Sequence, residues 1–232
     1  MKGFLNYLLW LVFPKRCAVC GKVINRDKHF CKTCETKIER VEKSCSICGG
    51  IENNCECRFR VFRFCGCVAP FKKGESSMQM IYRFKLHGKL DTAQMLADEM
   101  ILKINEHFSK QKFDVVTAVP MTKFKRISKG YNHSEVIAKI IADKMGVKYK
   151  EFLNKRPHYK PQHTLGHKER LQNVKGMFYA PKSHTYKNIL LIDDVKTTGA
   201  TLNECTKELL FSGGENVTCA VAVVNVLAIE KQ

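Results

Sequence analysis

Acid is scarce in this 232-residue chain: 22 Asp and Glu stand against 40 Lys and Arg, a formal net charge of +18. That imbalance excludes a self-solvating acidic surface and makes polyanions the expected partners, either nucleic acid or a pyrophosphate-bearing ligand. Long apolar runs are missing too. The opening stretch from Phe4 to Phe13 falls short of the roughly 20 residues that a membrane-spanning helix needs. Pro14-Lys15-Arg16-Cys17 follows it where a secretory leader would show a small-residue cleavage site. The expected location is therefore cytoplasmic, with residues 1–15 read as a helix docked on the body or, alternatively, lying shallowly on a membrane. No G-x-x-x-x-G-K-[ST] motif occurs, which removes the P-loop hydrolases.

The basic excess is focused. Residues 1–72 carry 14 Lys/Arg against 6 Asp/Glu and residues 112–175 carry 15 against 5, while the remainder holds 11 of each. Solubility alone explains a scattered excess; a focused one suits a binding face.

Chemistry concentrates in Ile189-Leu190-Leu191-Ile192-Asp193-Asp194-Val195-Lys196-Thr197-Thr198-Gly199-Ala200-Thr201. Four aliphatic residues predict a strand buried on both faces of a parallel sheet, with two carboxylates at its carboxyl end, where ligands of such sheets sit. The following bend offers small side chains, hydroxyls and successive N–H groups at a helix N-terminus, a setting that favours an anion. Carboxylates beside a bound phosphate make sense if they accept hydrogen bonds from neutral hydroxyls or share a divalent cation. A ribose 5-phosphate meets both requirements. A Walker-B-like strand end is the plainer alternative. The segment resembles the 5-phosphoribosyl-1-pyrophosphate loop of type I phosphoribosyltransferases. That resemblance implies that Asp193 and Asp194 contact the ribose 2- and 3-hydroxyls while Thr197, Thr198, Gly199, Ala200 and Thr201 wrap the 5-phosphate. Lys196 either joins them or projects into solvent.

Ten of the twelve cysteines fall between positions 17 and 67. C-x₂-C pairs in a reducing compartment indicate tetrahedral thiolate zinc rather than disulfides. Cys17, Cys20, Cys31 and Cys34 form one expected site, with Glu35 to Glu42 as a short helix. Cys45, Cys48, Cys55 and Cys57 form the second, with Cys65 and Cys67 as rival ligands or, preferably, ordinary buried residues on a strand. About two structural zinc ions follow, with iron-sulfur clusters as the alternative use of four thiolates. Arg58, Arg60 and Arg63 alternate with Phe59, Phe62 and Phe64, which suits either a nucleic-acid grip or a half-buried strand. Cys205 and Cys219 read as core.

Further along, Met78 to about Gly88, Asp91 to Phe108 and Ser134 to Met145 have helical periodicity, and Val115 to Val119 and Val217 to Val224 read as buried strands. The alternation predicts an α/β fold, a doubly wound parallel sheet. The organisation is then an apolar helix at 1–15, a Cys-rich double zinc module at 16–62 and the α/β domain at 63–232. Val119 to His133 reads as a loop at the ligand end of the sheet, with Lys123, Lys125, Arg126 and Lys129 placed to meet a pyrophosphate. Arg156 to Val174, with His158, His163 and His167, reads as a mobile lid.

Taken in order, the cysteine pairs, Phe84-Lys85-Leu86-His87-Gly88, Val119-Pro120 with Lys129-Gly130-Tyr131-Asn132, Pro161-Gln162 to Asn173-Val174 and the Thr-Thr-Gly-Ala-Thr loop resemble the ComF family of competence proteins. The likeness covers nearly the whole chain. It implies an amino-terminal zinc module ahead of a domain of type I phosphoribosyltransferase type, phosphoribosyl pyrophosphate with magnesium as ligand, and a role in uptake or use of single-stranded DNA. Other competence proteins at the inner membrane face are implied as partners. Ser128-Lys129-Gly130-Tyr131-Asn132-His133 departs from the family's usual R-R-G-F-N-Q, keeping charge at Lys129 but losing bidentate arginine. The alternative function is a metabolic phosphoribosyltransferase, moving a phosphoribosyl group to an unidentified acceptor with release of pyrophosphate.

Overall fold

Three apolar runs of the sequence lie side by side in the middle of one parallel sheet. A computed structural model of the chain describes residues 14–52, 55, 57, 60–87, 90–157 and 174–226. The expected helix at 1–15 lies almost wholly outside these residues, as do Arg58, Phe59, Gly88 and the 158–173 part of the expected lid.

In chain order the elements are α1 (Lys32–Glu35), β1 (Gly66–Val68), β2 (Phe71–Lys72), α2 (Glu75–His87), α3 (Leu90–Phe108), β3 (Val115–Ala118), α4 (Lys123–Lys129), α5 (His133–Met145), β4 (Lys148–Tyr149), β5 (Asn154–Lys155), β6 (Phe178–Tyr179), β7 (Asn188–Lys196), α6 (Ala200–Phe211) and β8 (Asn216–Val224). The main sheet runs β1-β8-β7-β3-β4, with β2 prolonging the β1 edge along β8, and every pairing in it is parallel. β5 and β6 make a separate antiparallel ribbon.

Side chains alternate across a strand, so a sheet covered on both faces needs apolar residues at every position. Val116, Ala118, Leu190, Ile192, Ala220 and Ala222 face α2, α3 and α5, while Val115, Ile189, Leu191, Cys219 and Val221 face α6. Each helix supplies the matching stripe. In α3, Ala93, Leu96, Ala97, Met100 and Ile104 are buried at three- and four-residue spacing. Asn132 caps α5 by accepting from the Ser134 N–H at 3.2 Å, and left-handed Gly146 ends it. The fold is thus the doubly wound α/β sheet that the alternation predicts, preceded by a small cysteine-rich module.

Strand order creates one crevice. From β3 the chain winds outward to the β4 edge, and from β7 it winds the other way to β8, yet β3 and β7 are neighbours. Helices therefore diverge at the carboxyl ends of these two strands, where open α/β sheets receive ligands.

Three local expectations are corrected. Residues 123–129 are helical rather than loop, because Thr122 accepts from the Lys125 N–H at 3.3 Å and Gly130 closes the turn in the left-handed region. The short helix of the cysteine module lies at Lys32–Glu35, ahead of the expected 35–42. β7 also runs past the aspartates to Lys196, because β8 continues to pair with it after β3 has stopped at Ala118.

The two faces of α3 give a direct check. Leu96→Ala, at a site with no exposure, should cost about 2–5 kcal/mol in urea unfolding. Leu102→Ala, 65% exposed, should change stability by no more than about 0.5 kcal/mol.

Candidate functional site

Asp193 and Asp194 sit immediately beyond the last β3 pairing, at the mouth of the crevice. Both are met from the sheet face that α2 and α5 cover, each by a different helix. Lys85, near the end of α2, forms an ion pair with Asp194. Ser134, in the first turn of α5, donates to Asp193 Oδ1 at 2.9 Å, and the Asp194 N–H donates to the same oxygen at 2.9 Å. Burial, followed by the neighbouring Asp194 charge, still pushes the Asp193 carboxyl up to about 7. The pair thus presents one charged and one readily protonated group, suited to accepting from and donating to hydroxyls.

The helix ends that carry Lys85 and Ser134 are fastened together. His133 donates from Nε2 to the Lys85 carbonyl at 3.1 Å, and its ring meets Phe84 edge-on at 5.4 Å. Burial holds the His133 imidazole below its usual range, consistent with a neutral ring. Asn132 donates to the Val119 carbonyl at 2.9 Å, tying the exit of β3 to the start of α5.

Beyond β7 the bend closes onto α6. Gly199 has φ +75°, which L side chains rarely adopt, and its carbonyl accepts from the Asn203 N–H at 2.8 Å. Thr198 is buried and its Oγ1 accepts from the Ala200 N–H at 3.3 Å, while Thr197, Ala200 and Thr201 are half-buried. The bend is packed from outside by the tail of the cysteine module. Arg60 donates to the Thr198 carbonyl at 3.0 Å, the Arg63 N–H donates to Asn203 Oδ1 at 2.8 Å, and a β-carbon at Gly199 would come within 2.9 Å of Phe62. Lys196 does not project into solvent. It is 2% exposed, with its ammonium 5.2 Å from the Phe62 ring centre. The tail covers it.

The basic segment after β3 occupies the neighbouring strand end. Lys123, Arg126 and Lys129 fall on one stripe of α4 at three-residue spacing. The Arg126 guanidinium is engaged by Glu135 at 3.0 Å and Glu151 at 3.2 Å, so that cation is spoken for by protein carboxylates. Lys123 and Lys129 are exposed.

Two sets of four cysteines converge. Within each of Cys17/Cys20/Cys31/Cys34 and Cys45/Cys48/Cys55/Cys57, the four sulfurs lie within 4.8 Å of one another. Cys20–Cys31 and Cys45–Cys57 are 3.7 Å apart, against an edge of about 3.8 Å for a tetrahedron with ~2.3 Å Zn–S bonds, and far beyond a disulfide. The two knuckles repeat one design. Arg16 bridges Val23 around the first and Ser44 bridges Ile51 around the second, with positive-φ Gly21 and Gly49 after each C-x₂-C. The donor sets fit zinc, and four thiolates leave it no open coordination position, so its contribution is structural. Cys67 is fully buried and its thiol is pushed up to about 12 by that burial. Cys65, expected to be buried, is exposed and donates to Asn216 Oδ1 at 3.6 Å, because β1 begins only at Gly66. Cys205 and Cys219 are core.

Lys85, Ser134 and the Arg60–Phe62 tail were not singled out as parts of this site from sequence. Their link to the aspartates is purely tertiary, and the Phe84-Lys85 segment was the one available hint.

Comparisons agree with this arrangement of parts. Residues 8–70 match the family model of the double zinc ribbon domain. The chain is 25% identical over 228 residues to competence protein ComFC of Streptococcus pneumoniae, covering 87% of this chain and 96% of that protein. It is 21% identical over 205 residues to the DNA utilization protein YhgH of Escherichia coli O6:H1, covering 87% and 86%. A solved adenine phosphoribosyltransferase from Saccharomyces cerevisiae matches 64% of this chain and 84% of its own, at 14% identity and a TM-score of 0.37.

The raised Asp193 carboxyl has a sign that can be measured. The folded chain keeps this proton up to about pH 7, whereas an unfolded aspartate releases it near ~3.9, so stability falls as pH rises between them. Asp193→Asn should therefore raise the Tm relative to wild type at pH 8, with the gain shrinking toward pH 4; a pH-independent difference in scanning calorimetry refutes the burial argument. Metal analysis should find about two zinc per chain, about one in Cys57→Ser, and an undiminished count in Cys65→Ser.

Proposed function

We propose that this chain, ComFC-like in sequence over 87% of its length, binds 5-phosphoribosyl-1-pyrophosphate at the crevice between β3 and β7 and serves the uptake or use of single-stranded DNA. One observation carries the first half. Two carboxylates and a threonine-lined bend that caps α6 stand together at the reversal of strand order, which offers an anion-binding helix start and a pair of hydroxyl acceptors to one ribose 5-phosphate moiety.

In this reading the α6 N-terminus receives the 5-phosphate through the N–H groups of Thr197 to Thr201, where the helix dipole favours negative charge. Asp193 and Asp194 take the ribose hydroxyls, with Lys85 neutralising Asp194 until the sugar arrives. Lys123 and Lys129, exposed on the helix that follows β3, attract the diphosphate in this reading, and magnesium accompanies that group as it does in solution. Arg126 contributes by holding α4 to the body through Glu135 and Glu151. The second half rests on the names of the relatives, competence protein and DNA utilization protein, together with the focused positive charge.

Calorimetry with phosphoribosyl pyrophosphate and Mg²⁺ tests the ligand. Asp193→Asn/Asp194→Asn should weaken binding at least ~10-fold, the loss of two or more hydrogen bonds to a partly charged pair; equal affinities reject the site. Release of pyrophosphate during the titration would extend the reading to group transfer. For DNA, oligonucleotide affinity should fall steeply with log salt as phosphate contacts release counterions. No retention near physiological salt removes that half.

A further inference from the structure

Among the described residues, two large apolar side chains of α4 have nothing to pack on. Phe124 is 81% exposed and Ile127 83%, and none of the helix's seven residues is buried. Isolated apolar residues on a surface are unremarkable, but here they adjoin each other, one turn apart, on a helix that otherwise consists of cations and a serine.

The direction of this face is fixed. Arg126 is bound to Glu135 and Glu151 on the body, which sets the inward side of α4. At about 100° per residue, Phe124 and Ser128 lie roughly opposite Arg126, while Ile127 and Lys125 flank them on either side. Lys123 and Lys129 fall nearer the inward stripe. The seven residues thus divide into a cationic stripe turned to the protein and a ring-bearing face turned to solvent. The positive surroundings extend past the helix. Glu151, which binds Arg126, leads into β5, and beside that strand the Arg156 guanidinium stacks on Tyr179 at 4.9 Å.

We infer that the outward face of α4 is a contact surface for single-stranded nucleic acid, with Phe124 stacking on a base, Ile127 covering its edge, and Lys125 meeting a flanking phosphate. This rests on the DNA half of the proposed function and gives it a location. A flat ring among cations suits unpaired bases joined by phosphates, because every base offers a π-face and every linkage a charge. A small phosphate ligand has no use for the ring. An anionic bilayer would use both, but an interfacial helix lays a longer apolar face into lipid than two side chains supply.

The test uses the full zinc-loaded chain and an oligothymidylate carrying one 2-aminopurine, whose emission changes on stacking. Wild type should bind with a stacking signal. Phe124→Ala should lose about 10- to 100-fold in affinity, the range that base–aromatic stacking gives on alanine substitution, lose the signal, and keep both its salt slope and its affinity for phosphoribosyl pyrophosphate. Phe124→Trp should restore the signal. If wild type binds the oligonucleotide and Phe124→Ala binds it equally well, the assignment of this face is overturned while the DNA reading stands. If wild type does not bind at all, both fall. A Phe124→Ala defect confined to phosphatidylglycerol vesicles, with oligonucleotide binding intact, transfers the surface to a membrane and overturns the inference.

Discussion

Like charges held side by side at the end of a buried strand repel, and water is too scarce there to screen them. Asp193 and Asp194 impose that problem on the whole ligand end of the molecule. Each of the two carboxylates receives its own partner from the same sheet face, Lys85 from α2 and Ser134 from α5. Neither partner is near in sequence. Their arrival depends on helices that pack against one sheet face through Met80, Ile81, Phe84, Ile137 and Ile141. Core burial is therefore what neutralises the acids, and the His133 bond to the Lys85 carbonyl fixes the two helix ends at the residues that do it. An apolar core of ordinary composition thereby supports a polar site that local structure could not hold.

The same dependence explains what could be read from the chain beforehand. β3, β7 and β8 were legible because an uninterrupted aliphatic run needs no tertiary knowledge, and the cysteine clusters because C-x₂-C spacing is a local property. The bend that leads from β7 into α6 was legible for the same reason. Lys85 and Ser134 were not singled out for the site, since only the fold brings them to the aspartates. Of the two readings of Lys196, part of the phosphate loop or solvated, the solvated one fails because a phenylalanine from the cysteine module covers the side chain. Cys65 was misplaced because the strand begins only at Gly66, which leaves that side chain outside. α4 was missed because its apolar residues face no core, so the periodicity that betrays buried helices gave no sign of it.

The contact between the cysteine module and the ligand bend gives the two halves of the chain a common fate. Phe62 fills the space that Gly199 leaves open, Arg60 holds the Thr198 carbonyl, and the Cys67 N–H donates to the Ser46 carbonyl of the second knuckle at 2.9 Å. Burial raises the Cys48 and Cys67 thiols, and the nearby Lys196 charge opposes that rise. A four-thiolate zinc centre carries net negative charge, so a buried ammonium beside it is offset rather than stranded. Small ribbons of this kind draw their folding free energy from the metal. The tail that carries Arg60 and Phe62 leaves the second knuckle directly, so its path across the bend is set by that knuckle's fold. The bend is thus packed by residues that follow directly on the last cysteine of the second knuckle.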